Sequence, residues 1–252
     1  MNLVALTWII PLGAIMGLVI HHLAEVLPIY RKIIISPLCV NCEQKFKLSD
    51  YLLNHNCTRC NTKQSPRKYI LVLTFIITYV LLFIFPPKYS GDFIAIIIFT
   101  FLSLVFVIDL EHKLILHPVS IFGAILFLFL GYLLNGLLIS VIGGAVGFLI
   151  MYLLYLFGIL FSRWMSKKRG IETEEIALGY GDVNLSAILG LLFGWPRIIV
   201  LIFFAILFGG AFSAIYLVVL KIRKKYELFT AIPYAPFLII SALLLLYIST
   251  QR

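Results

Sequence analysis

Charge is what this sequence has least of. Only 12% of its 252 residues are Asp, Glu, Lys or Arg, and only 11 of them are acidic. With 62% hydrophobic residues and a mean hydropathy of +1.09, that scarcity excludes a water-soluble domain built around one core and leaves a polytopic membrane protein. Cysteine is sparse too: there are four, all between positions 39 and 60, so any thiol chemistry is confined to one short segment. The amino terminus lacks a basic stretch, and no small-residue cleavage site follows Leu27. The first apolar run therefore reads as a retained span and not a removed signal peptide. No internal repeat or low-complexity tract is present, which excludes a repeat array. The net charge of +9 does not imply a nucleic-acid partner, because the basic residues are scattered over separate loops without interleaved stacking aromatics.

What is present is apolar sequence in runs. A helix needs roughly 20 apolar residues to cross ~30 Å of hydrocarbon. The runs predict eight spans: Leu3 to Leu27, Tyr69 to Phe85, Phe93 to Asp109, Val119 to Leu134, Leu137 to Phe161, Asp182 to Trp195, Ile198 to Leu220 and Ile232 to Ile248. The sixth is the weakest, being short and ended by Gly194-Trp195-Pro196. The expected organisation is a first span over 1–27, a polar loop domain over 28–68 and a helical membrane bundle over 69–252. Glycines 143, 144 and 147, 190 and 194, and 209 and 210 are expected to let helices pack closely.

With the amino terminus outside, 17 of the 20 Lys and Arg residues fall in the inside segments, leaving only Lys88, Arg197 and Arg252 outside. That bias sets the expected orientation, with the loop 28–68 in the cytoplasm.

Two acids then stand out. An acid at membrane depth costs a few kcal/mol or more, so spans carry one mainly when it does something. Asp109 ends the uncharged run from Phe93 to Ile108, and Asp182 opens the uncharged run from Val183 to Phe193. The topology puts both at cytoplasmic ends of their spans, on one side of the membrane. If packing brings them together they share a proton, one member activating water and the other protonating a leaving group. Asp182 closes the sequence Gly179-Tyr180-Gly181-Asp182. Gly179 and Gly181 are expected to allow backbone angles closed to other residues and to leave room for a substrate backbone beside the acid.

The four cysteines form two tight pairs, Cys39-Val40-Asn41-Cys42 and Cys57-Thr58-Arg59-Cys60, with fourteen residues between them. Two such knuckles present four thiolates to one tetrahedral zinc, and a full set of four leaves no open position, so the metal is expected to be structural. A loop this small cannot bury a core, and a metal staple supplies the folding energy instead. Disulfides are the alternative; the reducing cytoplasm disfavours them.

Taken in order, the cysteine loop, Ile108-Asp109-Leu110-Glu111-His112-Lys113-Leu114-Ile115-Leu116, Gly179-Tyr180-Gly181-Asp182-Val183 and Ile232-Pro233-Tyr234-Ala235-Pro236-Phe237 resemble the type IV prepilin peptidases, integral-membrane GxGD aspartyl proteases. The resemblance implies that Asp109 and Asp182 are the catalytic pair. It also implies that prepilins or pseudopilins are the substrates, cut at the cytoplasmic face of the bacterial inner membrane between a short basic leader and the hydrophobic helix. Many members then methylate the new amino terminus with S-adenosylmethionine. The chain departs from the family where Gly13 to His22 replaces a Gly-Ser-Phe-Leu-Asn type stretch and where no acid follows Tyr69. Both departures bear on methylation more than on proteolysis. Two other readings stand beside this one: a membrane methyltransferase without protease function, for which no glycine-rich nucleotide fold is present, and a transporter relaying protons through the two acids.

Overall fold

The computed structural model describes residues 3–30, 42, 45, 59–60, 66–169, 179–222 and 233–248. Almost all of these are helical. The eight helices among the described residues are α1 (Leu3–Tyr30), α2 (Arg67–Ile84), α3 (Gly91–His112), α4 (His117–Asn135), α5 (Leu137–Arg169), α6 (Tyr180–Phe193), α7 (Arg197–Ile222) and α8 (Ala235–Ile248). Each matches one apolar run of the sequence, as hydropathy requires.

Six of them are long and apolar enough to cross a membrane. Helices α6 and α8 have 14 residues each, a rise of ~21 Å against the ~30 Å of a hydrocarbon core. The sequence singles out the sixth as short, and the structure adds the eighth because Pro233 and Tyr234 precede the helix instead of forming its first turn.

Helix ends follow local chemistry. Gly136 (φ 84°) and Gly194 (φ 69°) stop α4 and α6 in the left-handed region, each donating its N–H to the carbonyl four residues back, Tyr132 and Gly190. Pro118 sits in the first turn of α4, where its missing N–H costs nothing.

The helices fall into two compact units, Met1–Val107 and Ile108–Arg252. In the first, α1 lies along α2 at two glycines. A Cβ on Gly13 would come within 3.0 Å of the Ile76 Cα, and one on Gly17 within 2.7 Å of the Val72 Cα. Side chains of α2 and α3 meet through the rings of Phe75, Tyr79 and Phe99. The buried Tyr79 hydroxyl donates to Thr100 Oγ1 at 2.6 Å, and Thr100 donates on to the Ile96 carbonyl. His21, also buried, faces Glu25 one turn along α1 at 3.8 Å.

In the second unit, short α6 is the central element, packed against α4, α5, α7 and α8. Val183, Leu185, Leu189, Leu192 and Phe193 are wholly buried, so α6 is enclosed by its neighbours, whereas Ile125 of α4 and Leu138 of α5 stay exposed as a lipid-facing surface requires. Small residues allow the enclosure. Gly143 and Gly190 face each other across α5 and α6 with no space for a Cβ on either, and a Cβ on Gly147 would stand 2.6 Å from the Ser186 carbonyl. Ser186 Oγ donates to the Gly147 carbonyl at 3.0 Å, a polar clasp in an apolar seam. The expectation of glycine-mediated packing holds at 143, 144, 147, 190, 194 and 209; Gly210 has open space instead.

Candidate functional site

The site lies in the second unit, where the last turn of α3 meets the first turn of α6. Asp109 is 5% exposed. Its helix ends when Lys113 donates its N–H to the Asp109 carbonyl at 2.8 Å and takes a left-handed backbone, φ 52°. Beyond that turn, Ile115 lies against Gly181 of α6. Asp109 Oδ2 is buried and has no hydrogen-bond partner among the described residues.

Asp182 is 7% exposed and sits in the first turn of α6. Its own amide donates to the Gly179 carbonyl at 3.1 Å, while the Gly179 N–H donates to Asp182 Oδ2 at 3.2 Å. The acid thus caps the helix that carries it, satisfying a donor that a helix start leaves open. The Ala235 N–H, at the start of α8, lies near the same carboxylate.

The two glycines act differently from expectation. Gly179 has φ −76° and ψ 146°, extended backbone open to any residue, and Gly181 is helical. Neither supplies an unusual angle. The space beside Gly181 is filled by Ile115, whose Cβ would lie 2.9 Å from an added Cβ. This contact joins the chain that follows Asp109 to the residue before Asp182. The two carboxylates are within electrostatic reach of one another, so a charge on one disfavours a charge on the other. Lys113 is close enough to act on Asp109 as well.

Around the pair, the exposed Tyr180 ring meets Tyr155 of α5 edge-on at 5.9 Å, fixing the entry to α6. Tyr234 leads into α8. Its ring packs on Phe237 at 6.1 Å and against Gly209 of α7. The Tyr234 carbonyl accepts the Phe237 N–H at 3.0 Å, so the segment between Pro233 and Pro236 spends its carbonyl on its own helix. Sequence reasoning missed Ile115 and Tyr234; a tyrosine between two prolines ahead of an apolar run was the available signal for the second.

The cysteine loop is described only in part. Cys42 and Cys60 are half-exposed, and Cys39 and Cys57 lie outside the described residues.

Residues 96–214 match the type IV leader peptidase family. A Legionella pneumophila protein named prepilin leader peptidase/N-methyltransferase is 28% identical over 218 residues, 83% of this chain and 71% of that protein. An Aeromonas hydrophila protein of the same name is 29% identical over 199 residues, 77% of this chain and 62% of that protein. One from Pectobacterium carotovorum subsp. carotovorum is 34% identical over 119 residues, 46% of this chain and 38% of that protein. The chain thus spans about two thirds of the length of the first two of these relatives. No solved structure matches it.

Proposed function

We propose, from the match of residues 96–214 to the type IV leader peptidase family, that the chain is an intramembrane aspartyl endopeptidase that removes the leader from prepilins or pseudopilins, with Asp109 and Asp182 as the catalytic pair. The observation that carries this reading is the pair itself: two buried acids, from helices distant in sequence, within electrostatic reach of each other.

The chemistry follows from one proton held between two carboxylates. A water molecule attacks the scissile carbonyl carbon and gives its proton to the ionised member, while the carbonyl oxygen takes up negative charge. As the tetrahedral centre collapses the C–N bond breaks, and a carboxyl proton passes to the nitrogen. Water and peptide become acid and amine, and the pair ends as it began. Which aspartate starts ionised is a property of the pair, because coupled acids titrate together. The proposal places the site on the cytoplasmic side, where the excess of Lys and Arg lies.

Two further elements belong to the proposal. The loop 28–68 forms a domain holding one structural zinc through Cys39, Cys42, Cys57 and Cys60, ahead of the catalytic bundle over 69–252. The new amino terminus is methylated, which rests on the relatives' names, with S-adenosylmethionine as the donor that the resemblance to prepilin peptidases implies.

The test is incubation of the purified, lipid-reconstituted protein with a prepilin, followed by mass spectrometry of the product. Leader loss is expected from the parent and not from Asp109→Asn or Asp182→Asn, with all three proteins equally folded. A mass increase of one methyl on the mature product reports methylation. Leader cleavage surviving in either variant would overturn the assignment of the pair.

A further inference from the structure

The hydroxyl of Tyr234 is a buried donor with no hydrogen-bond partner among the described residues. Buried hydroxyls are ordinarily satisfied, since an unpaired one forfeits its hydration without return. Its surroundings are those of the site: the next residue's amide, Ala235, lies near the Asp182 carboxylate, and Asp182 is close enough to act electrostatically on Tyr234 itself. The ring cannot turn away freely. Gly209 and Phe237 hold it, and a Cβ on Gly209 would come within 3.1 Å of its Cε2.

A second unsatisfied atom sits at the same site, Asp109 Oδ2, which is an acceptor. One lone donor and one lone acceptor, each within electrostatic reach of Asp182, are the complement of what hydrolysis brings. The scissile carbonyl oxygen is an acceptor, and the attacking water is a donor. We propose that Tyr234 is a further catalytic residue, its hydroxyl donating a hydrogen bond to the scissile carbonyl oxygen and to the oxyanion that forms there, while Asp109 Oδ2 accepts from the water. The hydroxyl keeps its proton throughout. It stabilises charge that develops only in the transition state, so its effect falls on turnover and not on substrate binding.

This inference rests on the peptidase reading, and the experiment separates the two. Tyr234→Phe removes the hydroxyl and keeps the ring contacts with Phe237 and Gly209. Reconstituted parent, Asp182→Asn and Tyr234→Phe are compared on one prepilin, with thermal midpoints as a check on folding. Tyr234→Phe is expected to lower kcat about 100-fold with KM within about threefold of the parent, the scale seen when one oxyanion donor is removed. A binding measurement stands beside it. A leader peptide carrying a hydroxyl-bearing tetrahedral carbon at the scissile position should bind Tyr234→Phe about 100-fold more weakly, while the product leader binds unchanged. A parent that does not cleave sinks the peptidase reading. A cleaving parent with Tyr234→Phe within about tenfold of its kcat, or with undiminished analogue binding, overturns the role of Tyr234 and leaves the peptidase reading standing.

Discussion

Gly181 lies so close to Ile115 that a Cβ placed on it would stand 2.9 Å from the Ile115 Cβ and 3.1 Å from Cγ1. Ile115 is six positions beyond Asp109, and Gly181 immediately precedes Asp182. The backbone approach at this one place couples the turn after the first acid to the helix start that carries the second.

Gly181→Ala therefore acts on geometry without touching either acid. It should move the first turn of α6 away from the 113–116 turn and lower kcat by about 100-fold, the cost associated with a displacement of ~1 Å at a reacting centre. Removing the partner's Cβ should compensate, so that adding Ile115→Gly to Gly181→Ala restores most of the lost rate. A steady-state comparison of the four proteins measures the coupling. Equal rates in Gly181→Ala and parent would show that this contact does not seat Asp182.

The seam between α5 and α6 predicts a contrast among glycines. At Gly143 a side chain meets the backbone of Gly190 and Gly194, whereas Gly210 has nothing within 4 Å. Gly143→Val should lower stability by at least about 1–3 kcal/mol, the range for overpacking a filled interior. Gly210→Ala should leave stability unchanged or raise it by up to ~1 kcal/mol, since alanine is the better helix former. Thermal unfolding in one lipid or detergent checks both, and a stable Gly143→Val would contradict the packing described.

At the far end of α6 a single amide ties three helices together. Asn135 Nδ2 donates to the Leu192 carbonyl at 2.9 Å, and Arg197 donates to Asn135 Oδ1, also at 2.9 Å. Asn135→Ala removes both bonds, and a destabilisation of about 1–3 kcal/mol is expected. Asn135→Asp keeps the acceptor for Arg197 and loses the donor to Leu192, so it should fall between the two. An Asn135→Ala protein that melts with the parent would show the bridge to be dispensable.

The four-cysteine proposal predicts one zinc per chain in protein purified without chelator, by elemental analysis. Cys42→Ser or Cys60→Ser should abolish stoichiometric zinc, because three thiolates and a hydroxyl bind far less tightly than four thiolates. Limited proteolysis between residues 28 and 68 should speed up in those variants, since metal binding supplies the folding energy of so small a domain. Metal-free protein with an unchanged cleavage pattern would remove zinc from the account.

Much of this molecule is legible from the chain alone, and the reason is that membrane helices are encoded locally. Length and hydropathy mark each span, glycines at 136 and 194 stop α4 and α6, and an acid at the end of an uncharged run is visible wherever it occurs. The two aspartates, the cysteine spacing and the expected orientation all follow from such one-dimensional signals. The faces by which helices meet do not. In water an apolar stripe shows which side of a helix is buried, but α6 and α8 have apolar residues on every side and carry no stripe to read. Only the tertiary structure decided that short α6 is enclosed by four neighbours, that Gly181 makes room for Ile115 and does not adopt unusual backbone angles, and that Ala235 and Tyr234 lie within electrostatic reach of Asp182. Those facts depend on how α3, α6 and α8 turn about their axes, which close packing at small residues sets and hydrophobicity does not.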